Sequence, residues 1–507
     1  MENYLKKRQP FFLSWIFSIK KTASLKPGLI ELTSYFLIIF LIMASFSCAV
    51  NPVTQRREFM LLSHSDELAL GKQTDAQITS SYGVYQEAVL SQYISGVGQK
   101  LASVSHQPEL KFTFQVLDSP VVNAFAVPGG YVYVTRGILA YLNDEAELSG
   151  VIGHEIGHVT ARHSAQLYSR AQMAQIGLAI GASLSSTFKK FAGLAEAGLS
   201  ILFLSFSREH ERQADDLGVL YSSRAGYEAS QTANMFTTLQ KLNPGSGNDG
   251  LPSWLSTHPD PPNRIEAIKR AAAEWKAANP SLKLVINRDS YLQKLDGLIF
   301  GDDPRQGYLD GQVFYHPQLR FQFPVPTDWQ LINLASQVQM VSSKEDAAMI
   351  LTMVPEKTPD EAAQAFVDNN KATVISSDLK TLNGFQTRRL QFKMQTEDGN
   401  LAGLVNFIKK DERVLMFLGY TLDSSFKAYS SIISASLNGF KPLTDQSKIN
   451  VIPEKIKIIK TSREDSLSNI LKPYGYNQEK QKQIAIMNAM ELTERVPAGR
   501  LLKIITK

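Results

Sequence analysis

The stretch from Val151 to Val159 constrains this chain of 507 residues more than any other, because it places His154, Glu155 and His158 in the order His-Glu-x-x-His. Two histidines four apart on an α-helix differ by about 40° around its axis, so both imidazoles leave one face and can reach one metal ion. Glu155 leaves about 100° away from His154, near enough to hold a metal-bound water without being a ligand. The stretch therefore predicts a helix that carries a hydrolytic zinc site.

A catalytic zinc site needs a third protein ligand. The metzincin arrangement has a third histidine ten residues after the first one, and a glycine three residues before that third histidine. These two positions hold Ser164 and Ala161 here. His163 is one residue short, and on a continuous helix it would point about 180° away from His154, which indicates a structural role. The metzincin arrangement is therefore excluded.

A second charged segment, Ser207–Asp215, offers the missing ligand. Its Glu211 and Asp215 are four apart and share one face of a predicted helix, where one carboxylate can bind zinc while the other accepts a histidine N–H. A solvated run of charges on a surface helix would explain the same residues. His210 lies on another side of this helix and is predicted to be exposed.

These two motifs together resemble the M48 (Ste24/HtpX-like) zinc metalloproteases, over about residues 50 to 275. The resemblance implies that one zinc ion binds His154, His158 and Glu211, that Glu155 is the general base, and that Asp215 orients a histidine ligand. The surrounding sequences that also match are Cys-Ala-Val-Asn-Pro-Val-Thr at 48–54, Asn-Ala-Phe-Ala-Val-Pro-Gly-Gly at 123–130, Asp-Glu-Ala-Glu-Leu at 144–148 and Ser-Thr-His-Pro at 256–259.

Two further features near these motifs concern substrate access. His258 precedes a proline, which holds it extended and suits a loop residue presented into a cleft. The resemblance implies that it lies near the metal, where it occupies the water position or stabilises the oxyanion; a packed loop histidine is the alternative. The strand that contains Asn123, Ala124 and Phe125 is predicted to pair with an extended substrate, with an ordinary edge strand as the alternative. Arg264 is predicted to pair with a carboxylate.

The N-terminus reads as a targeting segment. Residues 1–48 hold six Lys/Arg and two acidic residues. The basic residues precede the apolar run 35–46, and after this run comes Cys48, the only cysteine. Twelve apolar-dominated residues suit a signal peptide better than a spanning helix. Cys48 is predicted to carry a lipid, although Ser45 stands where such signals usually have leucine; an uncleaved anchor and an ordinary signal peptide are the alternatives. Each of these places the body of the protein outside the cytoplasm.

The remaining sequence predicts an α+β fold. A mainly helical zincin protease domain with a small edge sheet (48–300) follows the signal peptide (1–47). An α/β domain resembling the PsbP/Mog1 type (308–442) and a small unit resembling a degenerate LysM module (449–507) come next. The apolar stretch 171–206 is predicted to be a buried or a membrane-facing helical hairpin. The formal charge of +5 falls to about +1 beyond residue 48, so there is no nucleic-acid signal.

The predicted function is that of a zinc-dependent endopeptidase of the bacterial cell envelope, acting in protein quality control. The expected partners are protein or peptide substrates, a membrane reached through the N-terminal lipid or anchor, and peptidoglycan or envelope proteins at the C-terminal unit. The outer membrane is favoured over the inner one. Two other functions stay open: an assembly factor or chaperone with a gated or largely silent zinc site, and a peptidoglycan-tethering lipoprotein.

Overall fold

The computed structural model describes residues 48–170, 206–242, 254–258, 263–396 and 399–507. Helices and sheets both occur in it, so the α+β class is confirmed. The predicted signal peptide at 1–47 and almost all of the apolar stretch at 171–206 lie outside the described residues. No helix in the described part is both long enough and apolar enough to cross a bilayer.

The first part of the chain surrounds the metal motifs with helices and two small sheets. Strands β1 and β2 form an antiparallel pair, and a three-stranded sheet has the order β3-β5-β4, with β3 and β5 parallel and β4 and β5 antiparallel. The elements in chain order are β1 Cys48–Val50, β2 Arg57–Phe59, α1 His64–Tyr82, α2 Ala88–Ala102, β3 Thr113–Leu117, β4 Ala124–Val127, β5 Tyr131–Thr135, α3 Arg136–Tyr141, α4 Glu145–Thr160, α5 Arg208–Arg224, α6 Gln231–Gln240, α7 Trp254–Thr257, α8 Arg264–Ala278 and α9 Arg288–Lys294.

The close packing of α4 on α5 brings the two motifs together. A Cβ atom on Gly153 of α4 would lie 3.2 Å from the carbonyl oxygen of Gly218 on α5, and one on Gly218 would lie 3.1 Å from the amide nitrogen of His154. Larger side chains at these two positions would push the helices apart. Glycine therefore lets the two helix axes approach closely enough for ligands on both to meet.

The helix α4 ends earlier than the sequence pattern suggests. The pattern predicts a helix that runs to about Ser169, but α4 stops at Thr160 and a separate helical stretch covers 163–170. Between them Arg162 adopts a left-handed conformation with φ of 57°. Its guanidinium Nε donates to Glu67 Oε1 at 2.8 Å, and this buried ion pair holds the break.

The middle part forms two antiparallel sheets with their own core. A seven-stranded sheet has the order β12-β13-β14-β15-β11-β10-β9, and a four-stranded sheet has the order β16-β8-β7-β6. The core is apolar and rich in phenylalanine. The elements are β6 Tyr308–Asp310, β7 Val313–His316, β8 Phe321–Pro324, β9 Gln330–Asn333, β10 Gln337–Val341, β11 Ala347–Val354, α10 Pro359–Asn370, β12 Thr373–Leu382, β13 Phe385–Thr396, β14 Gly399–Lys410, β15 Arg413–Leu422, α11 Phe426–Asn438 and β16 Lys441–Pro442.

The last unit contains the strand, helix, helix and strand that its sequence pattern predicts, together with two further strands of two residues each, and it packs on the first part. Its buried side chains, such as Ile456 and Ile504, belong to the same apolar core as α4. Lys503 is fully buried, and its ammonium group donates to the carbonyl oxygens of Ala140 and Leu142 at 2.9 and 2.7 Å. The elements are α12 Gln446–Ile449, β17 Lys455–Lys460, β18 Asp465–Ser466, α13 Leu467–Leu471, α14 Gln478–Met487, β19 Arg495–Val496 and β20 Leu501–Thr506.

Candidate metal centre

The metal-binding helix α4 begins at a side-chain cap. Asp144 accepts a hydrogen bond from the backbone N–H of Glu147 at 2.7 Å, as the spacing of these two residues predicts. The carboxylate of Glu147 accepts in turn from the backbone N–H of Asn143, one residue before the cap, so the capping box is offset by one position. These bonds satisfy free N–H groups at the helix start and fix the direction of α4.

His154, His158 and Glu211 meet between α4 and α5. The two Nε2 atoms of the histidines lie 3.0 Å apart. The Glu211 carboxylate lies 3.4 Å from His154 Nε2 and 3.5 Å from His158 Nε2. All three side chains are buried. The structure therefore brings together the three residues for which the sequence predicts zinc binding.

His258 adds a fourth ligating atom to this group. Its Nδ1 lies 3.0 Å from Glu211 Oε1 and 3.2 Å from His154 Nε2, and the four ligating atoms all lie within 4.8 Å of one another. Ligands of a tetrahedral zinc ion with bonds of about 2.1 Å are about 3.4 Å apart. The separations found here are close to that value, and two or three neutral imidazoles with one carboxylate are ligands that zinc prefers. The residues present therefore fit zinc, the metal of M48 metalloproteases.

Asp215 and Arg264 hold His154 from behind. His154 Nδ1 lies 2.9 Å from Asp215 Oδ1, so the imidazole donates its Nδ1 proton to the carboxylate and turns Nε2 toward the ligand group. Arg264 donates from Nη2 to Asp215 Oδ1 at 2.7 Å and lies 3.2 Å from Glu211 Oε2. The carboxylate pairing of Arg264 predicted from the sequence is thus present. Its guanidinium also lies over the ring of Phe236, 4.0 Å from the centroid.

His163 lies behind His158 in the same way. The Nδ1 atoms of the two rings are 2.9 Å apart, and His163 Nε2 lies 2.9 Å from Gln213 Oε1. The sequence predicts a structural role because a continuous helix would turn His163 away from the site. The break at Arg162 instead brings its ring against a predicted zinc ligand. No local signal marks this break, since arginine has no preference for the left-handed region and its partner Glu67 is far away in sequence.

Glu155, the predicted general base, lies at the edge of the ligand group. Its Oε1 accepts a hydrogen bond from the indole N–H of Trp254 at 3.2 Å, whereas its Oε2 is buried and has no hydrogen-bond partner in the described part of the chain. Trp254 also stacks on His258, with ring centroids 4.8 Å apart. The tryptophan was not predicted as a site residue, because nothing in the sequence connects it to Glu155.

The protonation states of these groups follow from burial and charge. Burial alone would raise the pKa of Glu211, but the charge of His258 and the hydrogen bonds from His154 and His258 hold that pKa far below its usual range. Burial and the charge of His154 lower the pKa of His158 well below its usual value. Burial would also lower the pKa of His154, but its hydrogen bonds to Asp215 and Glu211 outweigh this and raise the pKa to about 9.

The predicted substrate strand lies at the sheet edge but is covered. Ala124 and Phe125 are in β4, which pairs only with β5 in the described sheet, and Asn123 immediately precedes it. All three residues are buried. The backbone N–H of Trp254 donates to the carbonyl of Val122 at 3.0 Å, so the segment that carries His258 is attached at the beginning of this edge.

The prediction that His210 is exposed is wrong. It is 5% exposed and its ring stacks on that of His163, with centroids 4.3 Å apart. Its Nε2 also lies 3.2 Å from Gln166 Oε1 in the helical stretch after the break. The break in α4 is again the reason, because it folds residues 163–170 back over α5.

Comparisons with known proteins agree with this geometry. Residues 89–272 match the family described as Peptidase family M48. The beta-barrel assembly-enhancing protease of Yersinia pestis is 30% identical over 225 residues, which are 42% of this chain and 46% of that protein. The mitochondrial metalloendopeptidase OMA1 of Schizosaccharomyces pombe is 32% identical over 232 residues, covering 44% of this chain and 65% of that protein. The chain thus spans about half the length of the bacterial relatives it matches.

Solved structures also resemble a part of this chain. The solution structure of cyanobacterial PsbP from Synechocystis sp. PCC 6803 covers 27% of this chain and 98% of that protein, with 13% identity and a TM-score of 0.23. At that score the likeness supports no argument, so the PsbP/Mog1 and LysM resemblances stay predictions. In the first part of the chain, the two motifs meet in space and the family match covers both of them. Residues 89–272 form a domain of peptidase family M48.

Proposed function

We propose that this chain is a zinc-dependent endopeptidase. One observation carries the proposal: His154, His158 and Glu211 present three buried ligating atoms at tetrahedral separations, with Glu155 beside them as a separate carboxylate. The family match of residues 89–272 supports it, and the relatives named above are described as proteases. Protein or peptide substrates follow from the same activity.

The roles of the chain's own residues follow from their contacts. Zinc held by the three ligands would supply Lewis-acid polarisation of a peptide carbonyl and would acidify a water. Glu155 takes a proton from the attacking water and delivers it to the leaving amine nitrogen. The Trp254 indole, which donates to Glu155 Oε1, fixes that carboxylate while Oε2 stays available. Asp215 keeps His154 in the tautomer that presents Nε2.

Replacing Glu155 with glutamine tests this function. The change keeps the size of the side chain and removes its basicity, so zinc content and folding should stay as in the wild type. Casein cleavage should fall by about 100- to 10,000-fold. Purified Glu155→Gln protein that cleaves casein at the wild-type rate would show that the proposed chemistry is wrong.

A second function is favoured by the place of His258. Its Nδ1 completes the ligand group, and the segment before it is bonded to Val122 at the edge of the proposed substrate strand. In this arrangement His258 stands where a carbonyl and a water would have to enter, and Trp254 stands at the edge where an extended peptide would pair. We therefore propose as the alternative an envelope assembly factor whose zinc site is gated or largely silent.

The substitution His258→Ala separates the two functions. For a gated protease, removal of the imidazole opens a coordination position and casein cleavage rises above the wild-type rate. For a largely silent site, neither form cleaves casein above the Glu155→Gln background. Zinc content measured on both proteins shows whether the three other ligands still hold the metal.

We further propose that the protein lies in the bacterial cell envelope, attached by a lipid at Cys48, with the outer membrane favoured over the inner one. Protein quality control is the proposed task there. Incorporation of labelled palmitate into the wild type but not into Cys48→Ser protein is the expected result. Equal labelling of the two proteins would exclude lipid attachment at this residue.

Peptidoglycan binding by the last unit is the remaining alternative. The unit shares its core with the metal domain, and Glu491 in its loop after α14 pairs with Lys241 at the end of α6 at 2.7 Å. Sedimentation of the full chain with purified sacculi tests the alternative directly. Full recovery of the protein in the supernatant would reject it.

A further inference from the structure

Two histidines bind the candidate metal from α4, and each has a different partner behind it. His154 turns Nδ1 to a carboxylate, Asp215. His158 turns Nδ1 to another imidazole, that of His163. A metal-binding imidazole needs a hydrogen-bond acceptor behind it, because the acceptor fixes both the tautomer and the ring orientation. The question is therefore whether His163 can be that acceptor.

The geometry determines the direction of each hydrogen bond. His158 faces the ligand group with Nε2, which lies 3.0 Å from His154 Nε2, so this nitrogen must be unprotonated to bind metal. The proton of the neutral ring is then on Nδ1, which donates to His163 Nδ1 at 2.9 Å. His163 must accept there, so its own proton is on Nε2. That N–H donates to Gln213 Oε1, also at 2.9 Å.

The chain of bonds is consistent at every atom. Gln213 has an amide oxygen that can only accept, which forces His163 into the tautomer with a free Nδ1. His163 is fully buried, so water does not compete for either nitrogen. The ring of His210 stacks on that of His163, with centroids 4.3 Å apart. None of these hydrogen bonds requires His158, His163 or Gln213 to carry a charge.

We propose that His163 is a positioning residue for the metal ligand His158, and that Gln213 sets its tautomer. The proposal rests on the zinc site proposed above but not on peptidase activity. It assigns the two metal-binding histidines different supports: an ion-paired carboxylate for His154 and a neutral imidazole with an amide for His158. Zinc affinity should thus depend on a residue that touches neither metal nor substrate.

The test compares two substitutions in the full chain. His163→Leu removes the acceptor and keeps an apolar side chain in the buried space, whereas His163→Asn places an amide oxygen near the position of Nδ1. Zinc dissociation constants measured by chelator competition should rise about 10- to 100-fold for His163→Leu and only a few-fold for His163→Asn. The exposed His64→Leu serves as the matched control and should leave the zinc affinity unchanged.

A spectroscopic measurement on the wild type covers the case in which a variant fails to fold. In zinc-loaded protein with 15N-labelled histidine, the His158 ring should show a proton on Nδ1 that exchanges slowly and a metal-bound Nε2. A His158 bound through Nδ1, or a His163→Leu protein with wild-type zinc affinity, would overturn the proposal. An unmodified chain that binds no zinc would instead overturn the zinc site itself.

Discussion

The metal domain and the middle part of this chain are stabilised in different ways. In the metal domain, buried charged groups include Glu67 with Arg162, Asp215 with Arg264, and Lys503 from the last unit. Within the described residues of 308–442 no charged side chain is buried, and phenylalanines fill the core. Burying a charge is unfavourable unless it is paired and hydrogen-bonded. The first region therefore depends on paired buried charges, whereas the described residues of the second are stabilised by an apolar core.

The last unit belongs with the metal domain in this comparison. Lys503 reaches the carbonyl oxygens at the end of α3, and its charge acts on Asp144 and Glu147 at the start of α4. Burial raises the pKa of Glu147 and lowers the pKa of Lys503. The helix that carries His154 and His158 thus begins at a buried cluster of titratable groups to which the C-terminal unit contributes Lys503.

Removal of zinc should have the largest effect and should distinguish the two regions. A metal that binds only the folded state at 1,000 times its dissociation constant stabilises by about 4.1 kcal/mol. Chelation should therefore abolish casein cleavage and lower the unfolding temperature of the metal domain, while the transition of the middle part stays in place. Differential scanning calorimetry of the full chain with and without 1,10-phenanthroline measures this. A single transition that moves as a whole would show that the two regions are not independent.

Lys503→Met should have the next largest effect. The methionine fills much of the same volume but leaves the carbonyl oxygens of Ala140 and Leu142 without a donor, which costs about 1–2 kcal/mol for each buried group. Urea unfolding should show a loss of about 2–4 kcal/mol in the transition of the metal domain. The exposed Lys482→Met on α14 is the control and should change stability by less than about 0.5 kcal/mol. Separate melting of the last unit would contradict the shared core.

Glu147→Gln should have the smallest effect, visible in the pH dependence of stability. A carboxyl whose pKa is raised on folding stabilises the protein below its unfolded pKa and loses that contribution as the pH rises through its folded pKa. For Glu147 this window begins at its usual pKa of 4.5 and extends to higher pH, because burial raises its pKa in the folded state. Between pH 5 and 7.5 the wild type should therefore lose about 1–3 kcal/mol more than Glu147→Gln protein. Parallel pH profiles from urea titrations would contradict this.

The sequence predicts the metal site better than its surroundings, for a physical reason. His154 and His158 are four apart in one helix, and Glu211 and Asp215 are four apart in another. Helical geometry alone therefore places the members of each pair on one face. The break at Arg162 depends on an ion pair with a distant residue, and helical periodicity contains no information about it. The positions of His163 and His210 therefore could not be predicted. The docking of Lys503 on α3 could not be predicted either, because it depends on how two units pack.

The alternation of apolar residues predicts the strands of the middle part. Helical patterns at 359–369 and 423–436 predict two helices, and the structure has helices at Pro359–Asn370 and Phe426–Asn438. The order of the seven strands in the sheet could not be predicted in this way. Strand β15 pairs with β11 across a long stretch of sequence. Such pairing depends on the shape of the whole core, whereas local periodicity indicates only which face of each strand is buried.

Zinc content per chain tests the central claim most directly, measured by mass spectrometry on wild-type, Glu155→Gln and Glu211→Ala protein prepared in the same way. One zinc ion per chain is expected in the wild type and in Glu155→Gln, because Glu155 is not a ligand. Glu211→Ala should retain almost none, since the third ligand is lost. A wild type without zinc, or a Glu211→Ala protein that keeps a full equivalent, would contradict the assignment of His154, His158 and Glu211 as the zinc site.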